Sequence, residues 1–154
     1  MKRTSRTALD ATVQIQVLIL LRQLQEELGM GVIFVTYDLG VAAEIADTIA
    51  VTYAGRIVET GSVQAVIQGP LHPYTAGMLS STIVGHKRGT PIEAIPGTPP
   101  DLHRLPPGCS FAPRCASAIT ACTVTFPPAR HFTSGRMACC VRLHQDSIEE
   151  IALT

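Results

Sequence analysis

At 154 residues and 16.4 kDa the chain has room for one ordinary domain. Apolar residues at 46%, charged residues at 16% and a mean hydropathy of +0.27 exclude a disordered chain, and twelve Lys plus Arg against twelve Asp plus Glu leave no field to draw in nucleic acid. No run reaches the about 18 apolar residues of a membrane helix, and Asp10, Gln14 and Gln16 break what a secretory leader would need after the basic start, so a cytoplasmic chain without a membrane span is expected.

Residues 1–7 read as a polar leader. Val13, Val17, Leu20, Leu21, Leu24 and Leu28 then recur at helical spacing, with Asp10 or Thr12 as N-cap and Gly29 past the end. Ile15, Leu18 and Ile19 lie off that stripe, which predicts a helix buried between two layers. Residues 31–36, Gly-Val-Ile-Phe-Val-Thr, form a continuous β-branched run, the pattern of a parallel strand covered on both faces.

Asp38 can cap a second helix to about Ala46. Residues 48–53 and 56–60 read as strands joined at Ala54-Gly55, and Ser62 caps a short helix ended by Gly69-Pro70. Pro73 suits the first turn of another helix through about Ile83. A Pro- and Gly-rich connector runs to residue 107, residues 108–143 hold all five cysteines, and 144–154 are a tail. The order implies an α/β fold with a parallel sheet, yet one doubly covered strand cannot make a sheet, so the neighbouring strands are expected upstream of Met1.

Thr7-Ala8-Leu9-Asp10, then Val35-Thr36-Tyr37-Asp38-Leu39-Gly40, residues 53–61 (Tyr-Ala-Gly-Arg-Ile-Val-Glu-Thr-Gly) and His72-Pro73-Tyr74-Thr75 follow in an order and spacing that resemble the C-terminal half of the ATP-binding subunit of an oligopeptide, dipeptide or nickel ABC importer. The resemblance covers roughly residues 7–143. It implies a partial P-loop NTPase sheet over residues 8–69 without its N-terminal half, a helix and connector over 70–107, and a small irregular cysteine-rich extension over 108–143. It also implies membrane permease subunits and a second ATP-binding subunit as partners, and a peripheral place at the inner face of the cell membrane.

On that resemblance Asp10 is the D-loop aspartate, a role compatible with capping the first helix. Tyr37 stands where the family carries a histidine for the γ-phosphate; a phenol of different length and shape cannot reproduce that contact, and a tyrosine packed at a strand end is its plainer role. Arg3 and Thr4 occupy the positions of the family's magnesium aspartate and catalytic glutamate, and neither does a carboxylate's work. The sequence holds no Gly-x-x-x-x-Gly-Lys-Ser/Thr phosphate loop and no Leu-Ser-Gly-Gly signature. No catalytic residue is assigned, and ATP with magnesium is expected only if a complementary half supplies those parts.

Cys109, Cys115, Cys122 and Cys139, with Cys140 directly after, lack the Cys-x-x-Cys pair of a zinc knuckle. Spacing alone leaves a metal site and unligated buried thiols open. Pro107-Gly108-Cys109-Ser110-Phe111-Ala112-Pro113-Arg114-Cys115, Cys122 and Ala138-Cys139 are similar to the family's C-terminal extension, some members of which hold a four-iron, four-sulfur cluster on four such cysteines. The resemblance makes Cys109, Cys115, Cys122 and Cys139 the ligands and Cys140 the spare. His72, His86, His103, His131 and His144 show no ligand spacing and read as solvated loop residues, whereas Tyr74 reads as core. The other reading of the whole is a free-standing metal-binding or interaction module, in which the α/β part only anchors the cysteines.

Overall fold

A computed structural model of the chain describes residues 11–81 and 94–144. Contacts divide it into two units, one up to Thr36 and one from Tyr37 onward.

In the first unit, helix α1 spans Ala11–Leu28, and Gly29 with φ +61° stops it in the left-handed conformation that costs glycine least. Burial between two layers is not found. Leu18 is 7% exposed, but Ile15, Ile19, Leu20 and Leu28 all stand more than half exposed. The stretch 31–36, expected as a strand whose sheet neighbours lie outside these residues, pairs with none of the described strands, and Ile33 and Val35 are 95% and 90% exposed. A strand is defined by the neighbours that take its N–H and C=O groups, and a β-branched run alone does not supply them.

The second unit opens with helix α2, Leu39–Ile45, whose first turn is closed by Asp38: the carboxylate Oδ1 accepts from Gly40 N at 2.8 Å and Val41 N at 3.3 Å. Strands β1 (Thr48–Tyr53) and β2 (Arg56–Ser62) form the antiparallel hairpin read from the sequence. Ala54 and Gly55 both take positive φ, 48° and 77°, the tight-turn geometry whose twist matches the strands. Helix α3, Val63–Gln68, is capped by the Ser62 hydroxyl, which accepts from Ala65 N at 3.3 Å. Helix α4, Pro73–Ser80, begins as proline at its first turn predicts and stops short of Ile83, which lies outside the described residues.

Mixed helices and an antiparallel sheet are what the described residues supply of the expected α/β fold, and no parallel strand pair is among them. The described sheet has four strands, all antiparallel, in the order β1-β2-β4-β3, and its last two strands come from the cysteine-rich segment: β3, Arg130–His131, and β4, Met137–Ala138. Glu59 pairs with Ala138 and Thr60 with Met137, and Cys139 N donates to Val58 O at 2.9 Å to add a further rung.

A polar knot locks this junction. Glu59, fully buried, accepts from Leu71 N and His72 N at 2.9 Å each, and from Arg136 Nη2 at 2.8 Å. Arg136 Nη2 also donates to Gly69 O at 2.6 Å. Removing one partner of such a pair strands a buried charge, at a cost of about 3–5 kcal/mol. Gly61 makes room for the arginine, since a Cβ there would lie 3.0 Å from Arg136 Cγ.

The core beside this knot joins β1, α4 and the cysteine-rich segment through three aromatic rings. Tyr53 lies 4.6 Å from Tyr74 and 5.3 Å from Phe111, and Tyr74 lies 5.4 Å from Phe111, between ring centroids. Tilted and edge contacts of this kind add roughly 0.5–1.5 kcal/mol each beyond area burial. Arg114 ties the connector to the same place, donating to Pro96 O at 2.8 Å, Ile95 O at 3.2 Å and the Tyr53 hydroxyl at 3.3 Å.

Candidate functional site

Of the two residues assigned to nucleotide by resemblance, Asp10 lies outside the described residues. Tyr37 follows the 31–36 stretch and is 94% exposed, so it is not packed at a strand end.

The cysteines give a more definite picture. Gly108 comes so close to the backbone of the following helix that a Cβ on it would collide with Cys122 O and stand 2.6 Å from the Thr123 carbonyl carbon. That approach lets Cys109 N donate to Cys122 O at 2.8 Å. A 3-10 turn, Ala112–Arg114, then carries the chain round to Cys115, and the four-residue helix α5, Ala121–Val124, holds Cys122. A second 3-10 turn, Val141–His144, follows Cys140.

Cys109, Cys115, Cys122 and Cys140 thereby border one small cavity, with His72 and Phe111 also in its wall. About 20 Å³ of it is open to the centre of a water molecule, space for about one water. Cys109, Cys122 and Cys140 are each 8% exposed. Burial pushes the Cys109 and Cys140 thiols up from their ordinary pKa, and nearby backbone N–H groups, of Phe111 and Ala112 for Cys109 and of Arg142 and Leu143 for Cys140, partly hold them down. Neutral thiols on an apolar wall are poor nucleophiles but competent soft ligands once deprotonated.

Cys139 faces elsewhere. Its sulfur donates to Met137 Sδ at 3.8 Å, burial raises its pKa, and the Arg56 guanidinium acts against that rise. Among the described residues no three His, Cys, Asp or Glu side chains stand together in a way that could hold a metal ion. Four cysteines nevertheless border one space, and thiolates are the donors that iron-sulfur clusters and structural zinc both take, although room for one water is less than a cluster fills.

His72 corrects the expectation of five solvated histidines. It is 2% exposed, and its Nδ1 accepts from Tyr74 N at 3.1 Å, capping α4. Burial lowers its pKa to about 4, against a smaller opposing pull from Glu59. The one signal in the sequence was its position directly before Pro73, where a cap belongs. His103 and His131 are exposed as expected, whereas His86 and the His144 side chain lie outside the described parts.

Residues 58–122 match a family described as the oligopeptide/dipeptide transporter, C-terminal region. The chain is 47% identical over 142 residues to a peptide import ATP-binding protein of Brucella ovis, a match covering 88% of this chain and 42% of that relative. It is 43% identical over 136 residues to the oligopeptide transport ATP-binding protein OppD of Salmonella typhimurium, covering 88% of this chain and 40% of the relative, and as similar over the same length to OppD of Escherichia coli. The chain spans about two fifths of the length of these curated relatives. Among the described residues no helix is long and apolar enough to cross a membrane.

Proposed function

From a chain whose residues 58–122 carry the C-terminal region of oligopeptide and dipeptide transporters, we propose that it serves as the C-terminal part of the ATP-binding component of a peptide importer, working against permease subunits and a second ATP-binding subunit at the inner face of the cell membrane. The observation that carries this reading is the 47% identity spread over 88% of the chain. Asp10 then belongs to the D-loop, and Tyr37, in place of the histidine, gives up the γ-phosphate contact.

These 154 residues contain no phosphate loop, no signature and no acidic pair before Thr7. The triphosphate cradle must come from residues outside this sequence. The purified chain should therefore show no magnesium-dependent ATP hydrolysis alone, and should gain magnesium-ATP binding on addition of a polypeptide supplying those motifs from a relative. It should also co-purify with permease subunits when they are expressed together. Turnover by the isolated chain would overturn the first point. A monodisperse chain that carries metal and ignores permease would favour the free-standing metal-binding module.

The cysteine cavity adds a finer element to this reading: a four-iron, four-sulfur cluster held by thiolates of the cysteine-rich segment. What supports it is the donor set, with Cys109, Cys115 and Cys122 common to the resemblance and to the cavity wall. When bound, such a cluster supplies iron-thiolate bonds that hold separate loops together. The residues around it do the rest: Phe111 and Pro127 keep the wall apolar, and Gly108 permits the approach of Cys109 to Cys122.

A further inference from the structure

We propose that the fourth thiol of this cavity is Cys140 and that Cys139 stands outside the set, an assignment that rests on reading the cavity as the seat of a sulfur-ligated group. The two residues are adjacent in sequence, so composition and spacing leave them equivalent. The sheet separates them.

Cys139 continues β4 by one rung, its N–H held by Val58 O. Side chains alternate across a strand, so Met137 and Cys139 share one face while Ala138 and Cys140 point the other way. The contacts agree. Cys139 Sγ meets Met137 Sδ, and Cys140 lies in the cavity wall with Cys109, Cys115 and Cys122.

Turning Cys139 into the cavity requires a one-residue slip of β4. That slip would exchange the two faces of the strand, pull the fully buried Ala138 out of its place opposite Glu59, and carry Arg136 away from its carboxylate. Cys140 needs no such change, because the chain leaves the strand there and enters the 3-10 turn through the Leu143 N to Cys140 O hydrogen bond of 3.2 Å. The register that pairs β4 with β2 thus selects one of two neighbouring cysteines.

The test uses the full chain and its Cys139→Ser and Cys140→Ser variants, each reconstituted without oxygen with ferrous iron and sulfide, then desalted. Iron and sulfide per chain and the visible sulfur-to-iron absorption are measured. The unaltered chain and Cys139→Ser should retain equal amounts, and Cys140→Ser about tenfold less or lower still, the size of loss that even outer partners of metal sites commonly cause. A second measurement needs no variant. Alkylation mapped by mass spectrometry on the unaltered chain should show Cys140 protected on loading together with Cys109, Cys115 and Cys122, and Cys139 unchanged. Loss in Cys139→Ser with retention in Cys140→Ser, or protection of Cys139 on loading, would overturn the assignment. Uptake by none of the three proteins would instead bring down the reading of the cavity itself, and the assignment with it.

Discussion

The imidazole of His72 is enclosed by the chain it caps, so charging it means taking a cation out of water. Its pKa in the fold is about 4, against about 6.5 in an unfolded chain. The unfolded state therefore binds the proton first as pH falls. The stabilising difference is whole above about pH 6.5, drains away between 6.5 and 4, and amounts to about 3 kcal/mol in all. Urea unfolding at a series of pH values should show this slope, and His72→Asn, which keeps a side-chain cap without the titrating ring, should flatten it. An unchanged slope in the variant would mean that the ring does not set the acid limit. The Asp38 and Ser62 caps were legible in the sequence because both residue types prefer that position, whereas histidine has no such preference and its burial depends on Glu59, Phe111 and the cysteine-rich segment meeting around it.

Among the elements, those built from contacts close in sequence were readable and those built from distant ones were not. The β1–β2 hairpin announces itself by alternation and by Ala54-Gly55. Strands β3 and β4 have two residues each, too few for any period, and they join the sheet through an arginine and a glutamate 77 positions apart. The 31–36 run differs again: its β-propensity gives it the character of a strand, and no described neighbour supplies the ladder that would complete one. Gly108 tests the packing of the cysteine elements directly. Gly108→Ala places a methyl group against the Cys122 and Thr123 backbone, where nothing flexible can yield, so the loop carrying Cys109 must back away from α5. Overpacking of this kind costs about 1–3 kcal/mol, which thermal unfolding should register as a lowered midpoint, together with faster alkylation of Cys109 and Cys122. A midpoint and thiol reactivity equal to those of the unaltered chain would show that the close approach is not needed.

For the molecule as a whole, the balance of twelve positive and twelve negative charges offers little repulsion between copies. The first unit meanwhile exposes Ile33, Val35 and much of α1. Apolar, unpaired β-branched segments are a recognised route to self-association. The double substitution Ile33→Lys and Val35→Glu should lower light scattering of the purified chain on warming while leaving the unfolding midpoint of residues 37–144 where it was. Equal scattering would locate the sticky surface elsewhere.

The order β1-β2-β4-β3 also bears on how such a chain could be taken apart. The cysteine-rich segment lends the hairpin its outer edge and the counter-ion for Glu59. Transplanted to another scaffold without β2, it would arrive with half of a seam; cut away, it would leave Glu59 without its cation and a strand margin open to any passing chain. The lobe and the hairpin are two sides of one hinge-less joint, and must be inherited or engineered as a single piece.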